Sequence, residues 1–134
     1  MKRLQRLKAT APLRDLVAEV GFGRAQLIQP LFAVEGIAVP EPVPGLGDTA
    51  RLPLAELGAQ VERDLEAGVR QFMLFNVGAT RADDDFPADF ACRAIETVRA
   101  RSGGAATLWV DTCLCSYTRS GHCCVHDARG RADL

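Results

Sequence analysis

The sequence predicts an α/β chain organised around a parallel sheet. Three short apolar runs carry this expectation: LIQPLFAV (27–34), FMLFNV (72–77) and TLWVDTC (107–113). Each reads as a buried strand, because a strand covered on both faces shows a continuous apolar run rather than alternation. Two stretches of helical periodicity separate them, and strands alternating with amphipathic helices mean βαβ units. The pattern stops after the third run, where residues 116–134 are polar and hold Gly121 and Gly130. Three strands with two crossovers leave two open sheet edges, so the chain reads as the beginning of a larger α/β unit.

The elements follow in order. TAPLRDLVAEV (10–20) predicts a helix, with Thr10 as cap, Pro12 in the first turn and Leu13, Leu16, Val17 and Val20 on one face. The first strand follows at 27–34, although Pro30 is awkward in a central strand. Residues 35–53 hold Gly36, Pro40, Pro42, Pro44, Gly45, Gly47 and Pro53 and predict a long loop. A helix at 54–67 presents Leu54, Leu57, Val61 and Leu65, and Gly68 closes it. The strand 72–77 leads into a polar loop, ATRADDDFPAD. A helix at 89–101 turns Ala91, Ala94, Ile95 and Val98 inward, with Cys92 expected as a small core residue.

Composition excludes several classes. Hydrophobic residues make up 48% of the 134, enough for a real core. The formal net charge of −1 implies no general attraction to nucleic acid or to an anionic membrane. No stretch approaches the apolar length of a membrane span. The basic opening MKRLQRLK has no apolar run behind it, which argues against a secretory signal. It reads as a solvated arm, with a targeting segment as the alternative. Five cysteines without a secretory signal point to a reducing, cytoplasmic setting. There, clustered thiols more often mean metal or catalysis than disulfides.

Four of those cysteines fall in DTCLCSYTRSGHCC, residues 111–124. In an extended strand Asp111, Cys113 and Cys115 point to one side. They lie at the C-terminal end of the third strand, where α/β folds build active sites. Cys123 follows on a loop that can fold back, bringing three thiolates together. Zn²⁺ accepts thiolates readily, and three protein ligands with an open position mark a catalytic site. Cys124, His122 and His126 are within reach as a fourth ligand, so spacing leaves a closed structural site as an alternative. Unrelated thiols are a further alternative. Asp111 has a local reading too, satisfying backbone donors at a strand end. The acidic run Asp83, Asp84, Asp85 reads as a solvated loop.

DTCLCSYTRSGHC closely resembles the zinc-binding segment of the porphobilinogen synthase (5-aminolevulinate dehydratase) family. LIQPLFAVEG is similar to that family's first barrel strand, PEPVPGL to its Pro-rich loop, and LKATAPLRDLVAEV to its N-terminal arm. The resemblance implies residues 1–26 as an arm and 27–134 as part of a TIM (β/α)₈ barrel. That part holds the first three strands and two crossover helices and ends in the metal loop, 113–124. It implies condensation of two 5-aminolevulinate molecules to porphobilinogen, in tetrapyrrole (haem) synthesis. It implies Zn²⁺ on Cys113, Cys115 and Cys123, with Asp111 lining the active site. It also implies homo-oligomer formation, or association with a full-length synthase, through the arm. Three departures stand out. The family's Schiff-base lysines have no match, since the two lysines here are Lys2 and Lys8. Cys124 replaces a usual Gly, and Arg119-Ser120 stands where a Ser-His pair is common. The chain alone is therefore expected to be inactive, with a non-catalytic zinc-binding or oligomerisation module as the alternative.

Overall fold

A computed structural model of the chain describes residues 6–21 and 23–133. Met1–Gln5, which include Lys2 and most of the basic opening, lie outside the described residues, as do Phe22 and Leu134. The three predicted strands form as β1 (Ile28–Val34), β4 (Gln71–Val77) and β5 (Thr107–Val110). They run parallel in that spatial order, with Ile28 opposite Gln71 and Gln71 opposite Thr107. The crossovers are α2 (Leu54–Glu66) and α3 (Asp89–Ser102), close to the expected bounds. Gly103 ends α3 in the left-handed conformation, φ 54°, which glycine adopts without a Cβ penalty.

Both helices cover one face of the sheet. Leu31 and Ala33 of β1, Phe72 and Leu74 of β4, and the stripes Leu57/Val61 and Ala94/Val98 meet there, all buried. Burial alternates along β4, with Phe72, Leu74 and Asn76 inside, as the two-residue period of a strand requires. The other face carries Phe32, Met73, Phe75 and Trp109 and has no helix over it among the described residues. Phe32 and Phe75 stack there at 5.0 Å, and Trp109 is 50% exposed.

Four expectations change. Residues 35–53 are not all loop. They contain β2 (Glu41–Pro42) and β3 (Ala50–Leu52), giving a five-stranded sheet in the order β2-β3-β1-β4-β5. These strands are too short to show a period, and pairing rather than propensity makes them. β3 joins β1 in parallel only at Phe32 and Ala33. Pro30 therefore precedes the ladder on that side, where a missing N–H costs nothing.

The predicted helix 10–20 is only α1 (Ala11–Leu16). Thr10 does cap it, accepting a hydrogen bond from the Leu13 N–H at 3.4 Å. Its apolar stripe buries nothing, with Leu16 78% and Val20 83% exposed, and a helix without tertiary packing does not propagate. The third strand ends at Val110 rather than 113. Cys92 is exposed, not core. It lies off the Ala94/Val98 stripe of α3.

Leu57 is 0% exposed and sits between sheet and helix pair. Leu57→Ala is expected to lower unfolding free energy by about 2–5 kcal/mol, measured by urea denaturation. Cys92→Ala, on the exposed face, should change it by less than about 0.5 kcal/mol.

Candidate metal centre

The chain leaves the sheet through Asp111, whose N–H donates to the Leu74 carbonyl at 2.9 Å. Asp111 and the cysteines are therefore not successive residues of one strand. The strand has ended, Cys113 is extended (φ −73°, ψ 135°), and Leu114–Ser116 form a single 3₁₀ turn carrying Cys115. The turn continues at Tyr117 and Thr118, whose N–H groups both donate to the Leu114 carbonyl, at 2.8 and 2.9 Å. The predicted convergence survives by this different route. The sulfurs of Cys113, Cys115 and Cys123 all lie within 4.8 Å of one another, and those of Cys113 and Cys123 are 3.1 Å apart.

Contacts that sequence reasoning missed hold the loop that brings Cys123 back. Thr118 is 0% exposed, and its Oγ1 donates to the His122 carbonyl at 2.8 Å, next to Cys123. Arg81 crosses from the loop after β4 and donates to the Cys115 and Thr118 carbonyls, at 2.9 and 3.2 Å. The Asp83 carboxylate accepts from the Arg119 N–H at 3.0 Å. The acidic run is exposed as expected, but this one member braces the metal loop. A buried threonine in a polar, aperiodic segment leaves no sequence signal.

The three thiols are not equivalent. The Cys115 backbone N–H, then the Cys123 and Cys115 thiols, hydrogen-bond to Cys113 and hold it below the ordinary thiol value. Facing that sulfur, Cys123 is pushed up to about 11. Cys115 is raised too, first by its hydrogen bond with Cys113 and then by burial. Cys113 is thus the most acidic of the three, and its hydrogen bonds to the other two, followed by its charge, favour their thiol forms. A cation among them offsets that charge.

The donor set fits zinc. Tetrahedral Zn–S bonds of about 2.3 Å put sulfurs roughly 3.8 Å apart, between the closest separation and the outer bound found here. All three thiols are partly or fully open to solvent, so an ion can reach them directly. Cys124 does not join the trio. Its Sγ lies 3.7 Å from His126 Nε2 instead. Asp111 is half-buried at the same strand end. Its charge reaches Tyr117, whose hydroxyl is raised first by burial and then by that charge.

The fold and the trio define a parallel-sheet α/β chain with a three-thiol cluster of metal-ligand type at the C-terminal end of its strands. A family model described as delta-aminolevulinic acid dehydratase matches residues 1–133, and the chain belongs to that family. A Streptomyces coelicolor delta-aminolevulinic acid dehydratase is 36% identical over 141 residues, covering 98% of this chain and 42% of that protein. The Halalkalibacterium halodurans enzyme is 34% identical over 126 residues, covering 91% and 38%. The crystal structure of the Toxoplasma gondii enzyme, in complex with the reaction product porphobilinogen, superposes with a TM-score of 0.82 at 26% identity. It covers 99% of this chain and 39% of that one. The chain thus spans about two fifths of the length of the relatives it matches.

Removing the Thr118 hydroxyl should loosen Cys123 without touching a sulfur. Thr118→Val is expected to weaken zinc binding about 10-fold at unchanged stoichiometry, measured by competition with a chromophoric chelator. Unchanged affinity would mean that the hydroxyl does not hold the loop.

Proposed function

We propose that the chain is the N-terminal part of a zinc-type porphobilinogen synthase, which condenses two 5-aminolevulinate molecules to porphobilinogen. The observation that carries this is the convergence of Cys113, Cys115 and Cys123 within 4.8 Å at the C-terminal end of the parallel strands. These residues hold Zn²⁺, with the fourth position left for substrate. When bound, the metal supplies Lewis acidity to one of the two substrate molecules. Asp111 lines the same strand end and contributes negative charge beside it. Arg81 and Thr118 keep the loop in place while the fourth position exchanges. Residues 1–26 act as an arm in subunit association, and 27–134 as the barrel portion. The compartment is the reducing cytoplasm, where the thiols stay available to metal. Among the described residues, no helix is long and apolar enough to cross a membrane.

The chain's two lysines, Lys2 and Lys8, both precede β1, so no strand end of this chain supplies an amine for a Schiff base. A Schiff-base lysine needs a neutral amine in a dry pocket, and that part comes from polypeptide beyond these 134 residues. The zinc-loaded chain alone is therefore inactive. The exposed apolar side chains of Leu16, at the end of α1, and of Val20 beyond it favour a second reading. In it the chain is a non-catalytic zinc-binding or oligomerisation module that docks on copies of itself or on a full-length synthase.

Incubation of the zinc-loaded chain with 5-aminolevulinate is expected to give no porphobilinogen. Turnover should appear when a polypeptide carrying the later barrel strands of a family member is added, and Cys115→Ser should abolish it. Turnover by the chain alone would contradict the proposal. A discrete zinc-bound oligomer that never gains activity would favour the second reading.

A further inference from the structure

Adjacent cysteines of the metal loop serve different partners. Cys123 turns toward Cys113, at 3.1 Å, whereas Cys124 Sγ lies 3.7 Å from His126 Nε2. The local cause is a change of backbone. From Cys124 the chain enters β6 (Val125–His126), which pairs antiparallel with β7 (Ala132–Asp133). Cys124 sits at the bend that leads into β6, and its thiol and the His126 imidazole come together there.

The hairpin is fixed from its turn. Asp127 Oδ1 accepts from the Arg129 and Arg131 N–H groups at 2.8 and 2.9 Å, and its Oδ2 accepts from the Arg131 guanidinium at 3.0 and 2.8 Å. That carboxylate is fully engaged, and the backbone next to His126 is held. The His122 ring stands edge-on to His126, with centroids 5.2 Å apart at 74°. A second imidazole thus stands beside the pair.

We propose that Cys124 and His126 form a second soft-metal site, distinct from the three-cysteine centre, which takes one Zn²⁺ with His122 and water completing the coordination. Zinc bonds of about 2.3 Å to sulfur and 2.0–2.1 Å to imidazole nitrogen at a tetrahedral angle span roughly 3.6 Å. The observed 3.7 Å lets the pair chelate without moving the loop. Thiolate and imidazole both bind zinc in preference to hard cations. Both histidines are exposed and Cys124 is half-buried, so the ion enters directly from solvent. With two donors in place against three, this ion is held more weakly than the first.

The test is a zinc titration of the full chain, reduced and metal-free at the start, with ions counted by native mass spectrometry. The wild-type chain is expected to bind two zinc ions, and Cys124→Ser and His126→Ala one each. Cys115→Ser should lose the tight ion and keep the weak one. In that variant, zinc should shift the ring ¹⁵N resonances of His126, and the shift should vanish when Cys124→Ser is added. A single zinc in both the wild type and Cys124→Ser overturns the proposal. Loss of the tight ion in Cys124→Ser also overturns it, by placing Cys124 in the three-cysteine centre. Failure of the three-cysteine reading looks different: a single ion that survives Cys115→Ser but not Cys124→Ser.

Discussion

The hydrogen bond from the Asp111 N–H to the Leu74 carbonyl, at 2.9 Å, is the last tie between β5 and β4, and the metal loop hangs from it. Below it the chain is fixed by the parallel ladder. Above it the backbone is free to turn, and one 3₁₀ turn carries Cys115 round to Cys113. The remaining ligand comes from ten residues further on and depends on Thr118, whose buried hydroxyl holds the His122 carbonyl. Arg81 ties the first turn of the excursion, at the Cys115 and Thr118 carbonyls, to the loop after β4. A site built this way is rigid where it meets the sheet and open where it meets solvent, which suits a metal that keeps one position for a ligand.

The sheet itself is asymmetric. One face is sealed by α2 and α3, and the other shows Phe32 stacked on Phe75 and a half-exposed Trp109. In a closed (β/α)₈ barrel that second face points to the packed interior. The metal trio stands at the mouth of the same interior, where such folds place their chemistry. A chain that spans about two fifths of its relatives' length carries the metal half of the proposed chemistry, apart from any amine on a strand end.

Much of this was legible in the sequence because burial imposes a period. The three strands and both crossover helices announced themselves through apolar runs and i, i+3, i+4 stripes, and their bounds moved by a residue at most, except that the third strand ends at Val110 rather than 113. Elements without such a period were not legible. β2 and β3 exist through pairing with each other and with β1. α1 had the stripe but nothing to bury it against, so it stops after six residues. The cysteine trio was visible by residue type, yet the geometric reason offered for it, one continuous strand to Cys113, gave way to a turn. Thr118 and Arg81 act through backbone carbonyls, which a one-dimensional reading does not see. The separate direction taken by Cys124 depends on where β6 begins, a boundary that no motif marks.

The central claim is that three cysteine sulfurs hold one zinc and leave one position open. X-ray absorption at the zinc edge, on the chain loaded with one equivalent of metal, tests it most directly. The account predicts three sulfur scatterers at about 2.3 Å and one light scatterer near 2.0 Å, the latter replaced when 5-aminolevulinate is added. A first shell of four sulfurs, or one dominated by nitrogen and oxygen, would contradict it.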